Sequence, residues 1–136
     1  MDAGLRGRLT DEHRSLDERF GRFLAAATGG DAPGAAEAIR GFDDGLRRHT
    51  ALEEETVLPA PTAGRLAAVA DETPEERLCR ELRLEHVQVR ELSAMILRLL
   101  DERADLPGAL RLAGNLARRW DAHTTREERE LLGCSD

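Results

Sequence analysis

The sequence predicts an all-α protein, an antiparallel up-down-up-down four-helix bundle with an internal two-fold pseudo-repeat. Three observations predict it. Apolar residues recur at helical spacing in four segments. Glycine and proline signals separate those segments with short connections, which favours neighbouring helices packed side by side. Charged residues make up 35% of the chain and aromatics only 3%, a helical balance rather than that of a sandwich or barrel.

The four helices are expected at about 10–28, 33–58, 74–103 and 107–132, within one domain covering residues 1–136. Thr10 is the expected N-cap of the first, with Asp11 and Glu12 at the positive end of its dipole, and Gly29-Gly30 ends it. Pro33 suits the first turn of the second helix, and the segment LPAPTAG breaks it. RLAAVAD, from Arg65, is expected to add a short helical turn. Thr73-Pro74-Glu75-Glu76 reads as a capping box opening the third helix. The fourth opens near Pro107 and ends at Gly133.

The inward stripes follow from the period. They are Leu9, His13, Leu16, Phe20 and Phe23 on the first helix. On the second they are Ala35, Ile39, Phe42, Leu46, His49, Glu53 and Thr56. On the third they are Leu82, His86, Val89, Ser93, Ile96 and Leu100, and on the fourth Leu116, Trp120, His123, Glu127 and Leu131. All four histidines of the chain fall on these stripes, with Glu53 and Glu127.

The same residues reveal a repeat. HTALEEETVL from His49 and HTTREERELL from His123 share the phrase H-T-x-x-E-E-x-x-x-L. His13 maps to His86 with an offset of 73, while His49 maps to His123 and Glu53 to Glu127 with an offset of 74. Two helix pairs related by an approximate two-fold would bring these six side chains together. Residues four apart share a helix face, so each His-x-x-x-Glu pair points into one cavity.

Imidazoles beside carboxylates suit iron, manganese or zinc. Two buried carboxylates without partners cost several kcal/mol each, which a pair of bridged cations removes. The bland alternative is a set of core histidines satisfied by backbone carbonyls, and the duplication argues against it. Glu54, Glu55, Glu128 and Glu130 rotate off the stripes and read as solvated, with Glu54 a candidate to support a ligand. Arg126 and Arg129 read as surface charges, and Met95 as core filling. Trp120 reads as core packing beside the site, with a redox role as the second reading. Ferritin-like Glu-x-x-His and zincin-type HExxH do not match.

Those residues resemble the hemerythrin-like (HHE cation-binding) family. The carriers of the resemblance are DEHRSL, HTALEEETVLP, LEHVQV and HTTREEREL, spread over about residues 9 to 132. The resemblance implies a bundle around two Fe ions, bridged by an oxo or hydroxo group. His13 and His49 would bind one iron, His86 and His123 the other, and Glu53 and Glu127 would bridge them. Oxygen-carrying hemerythrins have a second histidine on the third helix. Here the positions four residues either side of His86 are Leu82 and Arg90. The more open coordination favours reaction with oxygen or peroxide and would allow weak peroxidase- or catalase-like turnover. The set of four histidines and two carboxylates resembles hemerythrin-like proteins linked to oxygen, nitric oxide, redox or iron sensing and to peroxide breakdown. No catalytic residue beyond the ligands stands out.

The net charge of −7 argues against nucleic acid or an anionic membrane as partner. No apolar run reaches membrane-spanning length and no signal peptide is recognisable, so the expected location is cytoplasmic. Cys79 and Cys134 are expected as reduced thiols without a catalytic role. The expected state is a monomer or weak dimer. A second function class stays open, an iron- or oxygen-responsive interaction module read by a separate protein partner. A metal-free bundle is the third.

Overall fold

The structure is a computed structural model that describes residues 1–58 and 71–133. The described residues form four α-helices and no strand: α1 Ala3–Thr28, α2 Ala32–Thr56, α3 Pro74–Arg103 and α4 Leu106–Arg126. A π-helical turn, Glu127–Leu131, extends α4. Each helix packs on the next in sequence, and α1 against α4 closes a four-helix bundle. The expected short turn at RLAAVAD lies, apart from Asp71, outside the described residues, as does Cys134. Cys79 is a half-buried free thiol. Among the described residues no helix is long and apolar enough to cross a membrane.

α1 starts at Ala3, two turns earlier than Thr10 suggested. Its cap is Asp2, whose carboxylate accepts from the Gly4 N–H at 3.1 Å. Thr10 turns its hydroxyl back onto the Arg6 carbonyl at 2.9 Å, as a residue inside a helix does. Gly4 and Gly7 each cost a helix about 1 kcal/mol relative to alanine, which hides this extension from a propensity reading. The burial of Leu9, fully enclosed, offsets that cost.

α2 and α4 open with the same four-residue device, Asp-x-Pro-Gly. Asp31 accepts from the Gly34 N–H at 3.0 Å, and Asp105 from the Gly108 N–H at 2.9 Å. A Cβ at Gly34 would sit 2.2 Å from Asp31 Oδ2, and one at Gly108 2.3 Å from Asp105 Oδ2, so a side chain at either position would make the capping carboxylate shift. The α3 capping box is present on both sides, Thr73 to the Glu76 N–H and Glu76 to the Thr73 N–H.

The inward stripes are buried as the period requires, apart from Thr56 and Leu131. The exceptions share one cause. The Glu53 carbonyl accepts from the Leu58 N–H and the Glu127 carbonyl from the Leu132 N–H, both at 2.8 Å. Each bond joins residues five apart and widens the turn. Leu58 and Leu132 therefore take the inward place, while Thr56 is exposed and Leu131 half-buried. Met95 is 41% exposed, not core filling, because it lies off the Ser93–Ile96 face.

The main core is aromatic at its centre. Phe20 lies 5.6 Å from Phe23 and 5.4 Å from Phe42, and Phe42 lies 6.1 Å from Trp120 between ring centroids.

α3 ends at Ala104, a left-handed residue with φ 48°. That conformation costs a residue with a Cβ about 1–2 kcal/mol and glycine almost nothing. Ala104→Gly should therefore stabilise the protein by about 1 kcal/mol. A denaturant melt checks it, and a loss of stability would contradict the left-handed cap.

Candidate metal centre

The helical period sets which side chains face inward, and helix packing brings them together. His13 on α1, His49 and Glu53 on α2, His86 on α3, His123 on α4 and Glu127 at the start of the π turn are all 0–2% exposed. The structure brings all six residues singled out in the sequence into one cluster. His13 Nε2 lies 3.0 Å from Glu127 Oε1, and His49 Nε2 lies 3.2 Å from Glu53 Oε2. His86 Nε2 stands between the two carboxylates, 2.9 Å from Glu53 Oε1 and 3.2 Å from Glu127 Oε2. His123 Nε2 lies 2.9 Å from Glu127 Oε2. The imidazoles pair in matching fashion. His13 and His49 are 4.7 Å apart at 68°, and His86 and His123 are 4.8 Å apart at 66°.

Each histidine is held from behind by a carboxylate. Glu128 meets His13 Nδ1 at 3.0 Å, Glu12 meets His49 Nδ1 at 2.7 Å, Glu54 meets His86 Nδ1 at 2.8 Å and Glu85 meets His123 Nδ1 at 2.7 Å. An ionised carboxylate only accepts, so Nδ1 carries the proton and the Nε2 lone pair faces inward. Arginines hold three of these carboxylates in turn: Arg8 on Glu12, Arg83 and Arg90 on Glu54, and Arg126 on Glu85. Arg126 is thus no free surface charge, and it also binds Glu81 and Glu130. Glu54 and Glu128 are not simply solvated. The signal for them was present in the sequence, a second glutamate directly after each inward one.

At the centre, lone pairs face lone pairs. Six buried atoms, Nε2 of His13, His49 and His123, both oxygens of Glu53 and Oε1 of Glu127, have no aligned hydrogen-bond partner. Unpaired buried polar groups cost about 1–3 kcal/mol each, and charged ones more. Only a proton or a metal cation placed between them can remove that cost. Without metal, protons do it. Burial opposes charge on His13, but contacts with Glu127 and Glu53 prevail and raise its pKa from 6.5 to about 10. The same balance raises His86 to about 9, and burial opposed by contacts with Glu127 and Glu85 leaves His123 raised as well. Burial likewise opposes ionisation of Glu53, yet His13, His49 and His86 bring it down to about 2. Glu127 is lowered further by His123, His13 and His86 against the same burial.

The donor set fits a metal. His13, His49, Glu53 and Glu127 form one group that could hold an ion, and Glu53, His86, His123 and Glu127 form another. The ligand atoms of each group lie within 4.8 Å of one another. Both glutamates belong to both groups. No family model, curated protein or solved structure matches the chain.

Two outcomes follow. The folded metal-free chain keeps protons on His13 and His86 that the unfolded chain releases above 6.5. Their stabilisation is complete below pH 6.5 and is lost as the pH rises through about 9 to about 10. Thermal melts in chelator should therefore fall over that window, whereas metal-loaded protein, its ligands already deprotonated, should not follow. Separately, Glu85→Gln should weaken metal affinity by about 10–100-fold, the usual effect of losing a carboxylate behind a histidine ligand. Competition titration against a chromophoric chelator measures it, and unchanged affinity would make Glu85 a surface residue.

Proposed function

We propose that the chain is a dinuclear non-haem iron protein of the hemerythrin-like type, which binds or reacts with oxygen, nitric oxide or peroxide. The observation that carries this reading is the pair of four-residue groups that share both glutamates. In it, His13 and His49 bind one iron, His86 and His123 the other, and Glu53 and Glu127 bridge. Bound iron would supply electrons to the small ligand.

An internal two-fold and an antiparallel topology belong to the same reading. The Asp-x-Pro-Gly caps at Asp31 and Asp105 repeat with the offset of 74, and so do the outer carboxylates Glu54 and Glu128. The wide-turn bonds of Glu53 and Glu127 repeat with it too. Along each helix or just past its end, the aromatic-side core lies on one flank of the ligands and one buried leucine on the other: Leu9, Leu58, Leu82 and Leu132. The two apolar layers keep bulk water from the cluster, which strengthens every charge interaction inside it.

The positions where a further helix-3 histidine would stand supply no ligand. Leu82 is fully buried hydrocarbon, and Arg90 is committed to Thr50 and Glu54 at 3.0 and 3.2 Å. One iron would therefore keep a coordination place for water or an incoming ligand. That openness favours exchange and reaction over simple carriage.

Metal analysis with an absorption spectrum of air-exposed protein tests the proposal. We expect two irons per chain and oxo-to-iron charge-transfer bands. Saturating iron at about 1,000 times its Kd should add about 4 kcal/mol of stability. His49→Ala or Glu127→Ala should lower iron content and melting temperature together, because the metal holds the fold at those side chains. Protein that takes up no Fe(II) under anaerobic conditions would overturn the reading.

A further inference from the structure

Trp120 is the chain's one tryptophan, and the chain has no tyrosine. Its ring is 3% exposed and lies against three of the four histidines. It stacks on His123 at 5.9 Å and 27°, and meets His13 at 5.7 Å and His49 at 6.3 Å edge-on. These contacts reach both groups of ligands. The indole N–H donates to Asp17 Oδ1 at 2.8 Å, and Asp17 is exposed. One side chain therefore spans from the cluster to a carboxylate in water. Phe42, the next ring inward, shares the packing, but a phenyl ring is far harder to oxidise than an indole. Cys79 and Met95 are oxidisable too, yet they lie seven and nine residues along α3 from His86.

We propose that Trp120 is the electron relay of this centre, passing one electron through the stacked His123 ring while Asp17 receives the indole proton. The inference rests on the dinuclear iron reading. Its oxidant is hydrogen peroxide, acting when only one iron is ferrous. The O–O bond breaks on taking two electrons and two protons, and two waters form. A ferrous ion held by the cluster would supply one electron and become ferric. The other comes from Trp120, which becomes a neutral indolyl radical. The indole proton, handed off through Asp17, is one of the two protons, and solvent supplies the other. A purely structural indole would also seek a hydrogen-bond partner when buried, so the test must separate packing from electron transfer.

The full-length protein is loaded with iron, brought to the half-reduced state, and its absorption spectrum recorded. One equivalent of hydrogen peroxide follows, with rapid freezing for electron paramagnetic resonance and peptide mass mapping of a parallel sample. The wild type should show an indolyl radical. In the parallel sample, opened to air, the radical should combine with dissolved O2, adding oxygen at the peptide bearing Trp120 rather than at those bearing Cys79 or Met95. Trp120→Phe, which keeps an aromatic ring in place, should lose the radical while its iron spectrum stays the same. Trp120→Tyr should restore a radical of tyrosyl type, which a packing role does not predict. Asp17→Asn should lower the radical yield several-fold. A protein-radical signal undiminished in Trp120→Phe, or none in wild type whose iron peroxide has oxidised, would overturn the relay. An absence of iron in the first spectrum would overturn the dinuclear reading and the relay with it.

Discussion

Two carboxylates with no solvent exposure, Glu53 and Glu127, sit among four enclosed imidazoles, and the rest of the molecule answers to that arrangement. A buried charge whose partner is missing costs about 3–5 kcal/mol, a large part of the roughly 5–15 kcal/mol that holds a domain folded. The chain can bury two only by surrounding them with groups that carry or accept positive charge. Protons do so in the metal-free state, and a divalent cation does so more completely. Folding and the capacity to hold a cation therefore answer to one electrostatic requirement.

The compensation is organised in shells of alternating sign. Carboxylates lie at the centre and imidazoles around them. Glu12, Glu54, Glu85 and Glu128 stand behind the imidazoles, and Arg8, Arg83, Arg90 and Arg126 behind three of those carboxylates. Every shell fixes the orientation of the one inside it. A similar habit appears away from the cluster, where the buried Asp43 accepts from Ser93 at 2.8 Å and from Arg47 at 2.9 Å. Asp43, like the Nδ1 side of each histidine, is partnered, and the unpaired buried atoms gather at the centre of the cluster.

Much of this was legible in the chain because a helix obeys one period. That period set His13, His49, Glu53, His86, His123 and Glu127 on inward faces, and the structure brings them into contact. Proline and threonine placed the starts of α2, α3 and α4 to within a residue. What escaped was whatever depends on tertiary contact. The first turns of α1 contain two glycines and exist because Leu9 is enclosed. Glu54 and Glu128 look solvent-facing on a wheel, yet long side chains curl back to a neighbouring helix. The wide turns after Glu53 and Glu127 add a residue to the period, so Thr56 and Leu131 gave way to Leu58 and Leu132. Glu53 itself remained legible, since the irregularity begins only after it. The period sets out only the donors that could hold an ion; which metal and which small ligand belong to the proposed function.

The aromatic content of the chain has an optical consequence. With a single indole and no tyrosine, nearly all of the protein's intrinsic fluorescence arises from Trp120, whose ring touches His13, His49 and His123. A paramagnetic or strongly absorbing ion at that distance quenches emission by direct contact and energy transfer. The emission of this molecule is therefore a local gauge of its centre and not an average over the fold. Absorption bands of any ion bound at the centre would stand on a sparse aromatic background.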